Sequence, residues 1–387
     1  MRYGVEDAGG RSVQRVVADL FHQHGYDTVA VRDIAAAAGV AVPVVYRRYD
    51  GKQDVLRACV RAGLDLLAEV LREAALEEDR RLVERLGELS VECRSLWALL
   101  LRESRHLEPD ERAATWRRAD EVVTRLAAVI ERRWPGIATE DAVLRAHVVR
   151  STLEVPGRFP RRRARQALTF ALAEVAAEVV HAPPGEAPPP APEPTSSAAT
   201  DRPAEIARIA AELFVRHGFG SVAVEDVASR AGLTGAGVYH YFPSKADLLT
   251  WIVRDGVDRV ERSRTRVARD RRGPAAGLRD NAALRVALAL REPWLCQVLT
   301  EEWLYLAPGP LRAFRLERRA WMDAWQTALR GARPDLDAVQ VDVRLGAALS
   351  VVHDLARSAD LRVQPNIRTR ALAAVCGCFG VPDAHEP

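Results

Sequence analysis

A short stretch in the second half of the sequence combines small residues with hydrogen-bonding aromatic and basic side chains. Its members are Thr234, Gly235, Ala236, Gly237, Tyr239, His240, Tyr241 and Lys245. Small residues allow the start of a helix to approach the floor of a DNA groove, and Tyr, His and Lys can donate hydrogen bonds to bases and phosphates. On a helix-turn-helix, such a stretch would face double-stranded DNA.

Two short helices joined by a glycine turn would present these side chains. Apolar residues from Val224 to Ala231 recur at the spacing of one helical face. Gly232 tolerates the positive φ of a sharp turn, and the Thr234 hydroxyl can cap the next helix. Val238 and Phe242, four positions apart, are expected to face inward. The pattern predicts a helix-turn-helix.

The same pattern occurs near the start of the chain. A shift of 193 positions superposes Gly25 on Gly218 and Tyr46 on Tyr239 without a gap. The equivalent residues predicted to contact DNA are Val42, Pro43, Val44, Tyr46, Arg47, Arg48 and Lys52. The first three can touch thymine methyl groups, and the others can reach phosphates. Because the two sets differ, we expect two unlike DNA half-sites.

The helix starts of the two copies also differ. Ala41 stands where Thr234 provides a hydroxyl, so the first copy loses roughly 1 kcal/mol of capping. Pro43 suits the first turn of a helix and compensates in part. Ala30 and Ala223 lack a hydroxyl at the start of the middle helix, which leaves only the acidic half of a capping box in each copy.

The joint pattern resembles the DNA-binding head of the TetR family of transcriptional regulators. The matching residues are Leu213-Phe214, Gly218-Phe219, Asp226-Val227-Ala228, Ala231-Gly232-Leu233, Thr234, Tyr239 to Phe242, and Lys245. The resemblance implies an all-α fold in which each head precedes a helical body for ligand binding and dimerisation. It also implies a homodimer with a four-helix interface and a ligand that moves the heads apart. Ala30 and Ala223 depart from the usual Ser or Thr, which puts one phosphate contact in doubt.

The repeat extends over nearly the whole chain. A shift of 199 superposes Pro109 on Pro308 and Glu103 on Glu302. In the first body we expect helices over 57–79, 82–105, 110–134, 139–155 and 161–180. The predicted domains are a first head at 1–56, a first body at 57–181, a proline-rich linker at 182–203, a second head at 204–249 and a second body at 250–387.

The resemblance and the repeat together predict a dimer made from one chain. Helices 139–155 and 163–180 would pack with helices 336–357 and 366–379 as the interface. The linker favours extended polyproline II, which at about 3.1 Å per residue would reach some 60 Å. One chain would then bind an imperfect palindrome. Pairing of two chains, with four heads, stays open.

The effector is expected to bind in a helical body. Polar or aromatic groups on apolar helices are more often part of the core or the surface than of a pocket. With that alternative open, the candidate residues are Trp97, His106, Trp116, His147, Trp303, Tyr305, Trp321, Trp325 and His353. The second half is the more aromatic and is the expected sensing side. A resemblance to relatives that sense large apolar molecules, such as acyl thioesters or hydrophobic antibiotics, suggests the ligand class.

Composition and motifs give little support to a metalloprotein, an enzyme or a membrane protein. A net charge of +3 over 387 residues does not by itself indicate nucleic acid. The five cysteines lack metal-site spacing, no cofactor is expected, and no enzyme signature is found. Without a signal peptide or an 18-residue apolar run, we expect a cytoplasmic protein that does not enter membranes. The alternative is a ligand-binding or interaction protein whose heads have lost DNA binding.

Overall fold

The computed structural model describes residues 13–73, 79–158, 165–181, 201–268 and 273–381, and the regular elements within them are all helical. The chain divides into two compact units, Met1–Pro184 and Gly185–Pro387. The all-α prediction with two tandem units is confirmed. None of the described helices is both long and apolar enough to cross a membrane.

In the first unit, the three-helix head precedes a body of longer helices. The helices are α1 Val13–His24, α2 Val31–Ala37, α3 Val42–Arg48, α4 Lys52–Glu73, α5 Asp79–Glu92, α6 Arg94–Ala98, α7 Pro109–Arg133, α8 Thr139–Glu154 and α9 Arg165–His181. The second unit repeats this order with one additional short helix, α18. Its helices are α10 Arg202–His217, α11 Val224–Arg230, α12 Gly235–Tyr241, α13 Lys245–Ala268, α14 Pro274–Arg291, α15 Pro293–Thr300, α16 Pro308–Ala332, α17 Ala338–Arg357, α18 Ala359–Arg362 and α19 Ile367–Phe379.

The second head is held together by a small apolar core. Phe214 of α10, Val227 of α11 and Val238 of α12 are each at most 1% exposed and belong to one cluster. Between α11 and α12, Gly232 has a φ of +66°, and the Leu233 N–H donates to the Ala228 carbonyl at 2.8 Å. The glycine turn predicted from the sequence therefore sets the angle between the two helices.

The predicted helix starts are confirmed. The Thr234 hydroxyl accepts the Gly237 N–H at 3.2 Å, whereas Ala41 makes no side-chain cap. Ala30 and Ala223 donate their N–H groups at 2.8 Å to the carboxylates of Asp33 and Asp226, respectively. Only the acidic half of each capping box remains, as the sequence indicated.

The single helix predicted over 82–105 is wrong. The helix ends at Glu92, and after Cys93 the chain forms α6, a π-helical turn Leu99–Glu103 and a 3₁₀ turn Ser104–His106. The interruption allows α6 to pack on the head, where the Ser95 hydroxyl bonds to the Asp19 carboxylate. The helix expected over 57–79 starts earlier, because α4 begins at Lys52 and is described as far as Glu73, and residues 74–78 of that prediction lie outside the described residues.

Each head shares a continuous helix with its body. The divisions predicted at 56/57 and 249/250 fall inside α4 and α13. A glycine of each of these helices lies under a leucine of the next short helix: a Cβ atom on Gly63 would lie 2.9 Å from Leu96 Cβ, and one on Gly256 would lie 2.9 Å from Leu295 Cδ1. The same contact at equivalent positions shows that the two units share one packing scheme.

Candidate nucleic-acid interface

Helix α12 exposes the residues that the sequence assigned to DNA. Val238 is 1% exposed and anchors the helix, whereas Tyr239 and Tyr241 are 47% and 39% exposed. His240 is also exposed, and its ring meets the Tyr241 ring edge to face with centroids 5.1 Å apart. The predicted residues Thr234, Gly235, Ala236 and Gly237 form the start of the same helix. Hydrogen-bonding groups and small residues thus share one short segment.

Helix α3 presents a different surface in the first head. Val45 is buried, and Tyr46 on the next position is 55% exposed. The exposed residues include Val42, Pro43, Arg47 and Arg48, while Val44 is partly buried. The Arg48 guanidinium carbon lies 5.7 Å from the centroid of the Tyr49 ring. This head combines an apolar start with two cationic side chains at its end, which is a suitable arrangement for thymine methyls and phosphates.

The two lysines after these helices hold a turn of their own head. Lys245 Nζ donates to the carbonyls of Phe219 and Val222, both at 2.8 Å, and lies 4.5 Å from the Phe219 ring centroid. Burial lowers the pKa of Lys245. Lys52 Nζ donates to the Tyr26 carbonyl at 2.8 Å and lies 4.2 Å from that ring. The sequence predicts phosphate contacts for these lysines and gives no sign of their hydrogen bonds to the turn.

A second contact joins the clamped turn to the body of its unit. In the second unit, the Phe219 N–H donates to Glu302 Oε2 at 3.1 Å. In the first unit, the Tyr26 N–H donates to Glu103 Oε2 at 3.4 Å. Both carboxylate residues are buried, at 1% and 8% exposure. The sequence predictions do not include this junction. The superposition of Glu103 on Glu302 in the repeat could have indicated it.

Charge and hydrogen bonding keep the first junction ionised. Burial opposes the charge on Glu103, but the adjacent His106 imidazole, the charge of Arg105 and the Tyr26 N–H outweigh it. Together they hold the pKa of Glu103 below its ordinary value. His106 Nε2 lies 3.4 Å from Glu103 Oε2, and its Nδ1 lies 3.7 Å from Asp27 Oδ1. The carboxylate therefore links a buried body segment to the head.

The predicted effector residues of the second unit fall into four places. Trp303 and Trp321 flank Phe314 in one aromatic cluster, with centroid distances of 5.3 and 6.3 Å to that ring. Trp325 instead meets Phe379 at 5.8 Å. Tyr305 lies at the head–body junction rather than with Trp321, and His353 is partly buried on α17.

The predicted effector residues of the first unit are more dispersed. Trp97 is 1% exposed in the main core, and its indole N–H has no hydrogen-bond partner among the described residues. Trp116 packs at the edge of that core, and His147 is buried on α8. His106 stacks on Tyr26 at the junction. No group of three or more metal-ligating side chains occurs in the described ranges.

The two heads have the geometry of helix-turn-helix DNA-binding modules. Residues 17–59 and 206–250 each match the family of bacterial regulatory proteins called the tetR family. Both heads belong to this family, and the chain carries two TetR-type units in tandem.

Several known proteins are similar to parts of the chain. A helix-turn-helix transcriptional regulator of Mycobacterium tuberculosis strain H37Rv is 36% identical over 75 residues, which are 19% of this chain and 38% of that protein. The transcriptional repressor KstR2 of Rhodococcus jostii strain RHA1 is 37% identical over 71 residues, which are 18% of this chain and 34% of the repressor. These matches therefore span little more than a third of either relative.

A solved structure of KstR2 of Mycobacterium tuberculosis, a ketosteroid transcriptional regulator, superposes with a TM-score of 0.43 and 19% sequence identity. The superposition covers 49% of this chain and 100% of that structure.

Proposed function

We propose that this chain is a transcriptional regulator whose two unlike heads bind the half-sites of one DNA operator. The observation that carries the proposal is the exposed face of each recognition helix, anchored by Val45 in α3 and by Val238 in α12. On both helices, the side chains left outside the core are suited to bases and phosphates. Heads about one DNA turn apart would enter successive major grooves.

The side chains assign different tasks to the two heads. Val42, Pro43 and Val44 supply apolar contacts to thymine methyls, and Arg47 and Arg48 bind phosphates. In the second head, Tyr239, His240 and Tyr241 supply hydrogen bonds instead. The preferred operator is therefore an imperfect palindrome.

One chain acts as a pseudo-dimer in this proposal. Helices α8 and α9 of the first unit pair with α17 and α19 of the second, and Gly346, Ala347 and Ala348 favour close helix packing. Tethering replaces association of separate chains by an effective concentration near the millimolar range.

A small apolar molecule bound in the body relieves repression through the head–body junction. The related proteins described as repressors support this sign of regulation.

A nuclease footprint tests the proposal, combined with the mass of the complex on the same fragment. The fragment is the DNA that flanks the gene, and the protein is the full chain. Protection of two unlike half-sites by one chain is the expected result. Protection of twice that length by two chains would replace the pseudo-dimer with a four-headed homodimer. No protection at low salt by folded protein would contradict DNA binding and favour a ligand-binding or interaction protein.

A further inference from the structure

Arg285 is a partly buried cation on α14 for which the described residues provide no carboxylate partner. Its guanidinium carbon lies 5.2 Å from the centroid of the Trp321 ring on α16, and it makes no hydrogen bond or ion pair within the described ranges. A partly buried guanidinium with no acceptor has its N–H donors available to an anion, and partial burial strengthens such a contact relative to one in bulk water. Arg285 is therefore available to bind an anion.

The groups around Arg285 do not supply that anion. Burial lowers the pKa of Arg285, the nearby Cys296 thiol opposes this, and the positive charge of Arg318 adds to the lowering. Burial raises the pKa of Cys296 on α15 to about 12, so the thiol is neutral at pH 7. Arg285 thus shares its surroundings with a second cation and an uncharged thiol.

The carboxylates of neighbouring helices have other partners. Glu261 Oε1 accepts the Trp321 indole N–H at 2.7 Å. Glu292 Oε2 lies 2.5 Å from Arg259 Nη1. The charge of Glu301 raises the pKa of Cys296 but is not among the charges that shift the pKa of Arg285. None of these three carboxylates pairs with Arg285 in the described structure.

The first unit has no equivalent charge. Helices α5 and α14 end one residue before Cys93 and Glu292, which fixes their register at a shift of 199. At that shift, the positions of Arg285, Cys296 and Trp321 correspond to Leu86, Trp97 and Val122, each 1% exposed in the first core. An apolar set of side chains thus occupies the place that contains a cation in the second unit.

We propose that Arg285 binds the acidic group of an effector in the second unit, and that the effector is an apolar molecule ending in a carboxylate or a phosphate. The guanidinium offers paired N–H donors to such a group. The aromatic cluster of Trp303, Phe314 and Trp321 provides apolar surface for the rest of the molecule. This inference rests on the proposed function in placing an effector in the body, and it limits that effector to an acid.

Isothermal titration of the full chain with matched ligands tests the site. The probes are decanoate, decyl phosphate and decan-1-ol, which share one alkyl chain and differ in charge. We expect the wild type to bind at least one of the two acids about tenfold more tightly than the alcohol, as a charge-assisted hydrogen bond implies. Arg285→Met should remove this preference and leave the alcohol unaffected, while Arg285→Lys should retain part of it. Leu86→Met, at the equivalent position of the first unit, should behave as the wild type.

Several outcomes would overturn the site. One is that Arg285→Met binds the acids as tightly as the wild type does. Another is that the wild type binds decan-1-ol more tightly than either acid. The third is that neither acid gives a measurable heat of binding. A thermal midpoint for each variant establishes that it is folded, and Arg285→Lys gives a second measurement if Arg285→Met is not. Because the titrations contain no DNA, a failed footprint would contradict the proposed function without affecting the acid preference.

Discussion

Phe219 of the second head stacks on Tyr305 of the body in the same unit, with ring centroids 5.2 Å apart and planes 26° from parallel. Tyr26 stacks on His106 in the first unit at 4.5 Å and 21°. In both units, the aromatic residue follows the glycine that ends the first helix of the head. A buried carboxylate holds the same turn from the body side, so the head is attached to its body through a short, packed contact.

Removing the carboxylate of Glu302 should destabilise the second unit. Glu302→Leu leaves the partly buried Phe219 N–H without its acceptor, which costs about 1–3 kcal/mol of unfolding free energy. Glu302→Gln keeps an acceptor oxygen and should cost less. Denaturant unfolding of the full chain measures both, with Glu317→Gln on the exposed face of α16 as the control. Equal stability of Glu302→Leu and the wild type would show that the junction does not stabilise the fold.

The junction of the first unit should make stability depend on pH in the acid range. The folded-state pKa of Glu103 lies below its ordinary value near 4.3, so its contribution is fully present above that value. It is lost as the pH falls through the lowered folded-state pKa. The thermal midpoint of the wild type should therefore fall more steeply below about pH 4 than that of Glu103→Gln. Parallel profiles would contradict the ionised junction.

Lys245→Ala should affect both the fold and DNA binding. Loss of the clamp on the carbonyls of Phe219 and Val222 should lower the unfolding free energy by about 1–2 kcal/mol. If the ammonium also neutralises a phosphate, the variant should weaken binding to all sequences and reduce the salt slope by about one. A filter-binding series in salt measures the slope. Reduced stability with an unchanged salt slope would show that Lys245 holds the turn but does not contact a phosphate.

The two recognition helices should respond in opposite ways to changes in their caps. Thr234→Ala removes the acceptor for the Gly237 N–H and should cost about 1 kcal/mol. Ala41→Thr introduces a hydroxyl at the equivalent place of the first head and should stabilise it by up to about 1 kcal/mol. Chemical denaturation compares the two. A stabilising effect of Thr234→Ala would mean that the hydroxyl does not cap the helix in solution.

Substitutions in one recognition helix should alter one half-site. Tyr46→Phe and Val44→Ala change hydrogen bonding and apolar contact in the first head, whereas His240→Ala changes only the second. We expect each change to weaken its own half-site by about 1–3 kcal/mol. Footprints read each half-site separately on the same fragment. Equal weakening of both half-sites by Tyr46→Phe would indicate that the heads do not read DNA independently.

Local chemistry was sufficient to predict the heads from the sequence. The spacing of apolar residues, the turn at Gly232 and the cap at Thr234 each depend on a few neighbouring residues, and the structure has all three. The same logic anticipated the missing caps at Ala30, Ala41 and Ala223. Where hydrogen bonds connect residues three or four positions apart, periodicity and residue type were informative.

The other features depend on contacts between residues that are distant in sequence. Apolar periodicity continues through Cys93, so it could not reveal that the helix ends there and that α6 packs on the head. The acceptor of the Phe219 N–H lies 83 positions away on Glu302. The lack of a partner for Arg285 also becomes visible only when α14, α15 and α16 are placed together.

The unlike surfaces of α3 and α12 have an evolutionary consequence. In a regulator assembled from identical subunits, one codon change alters both reading heads, so both halves of the DNA target must change with it. Here the two heads are encoded at separate places, and a substitution at Tyr46 leaves Tyr239 untouched. If the heads read DNA as proposed, each can drift toward a new target while the other retains the old one.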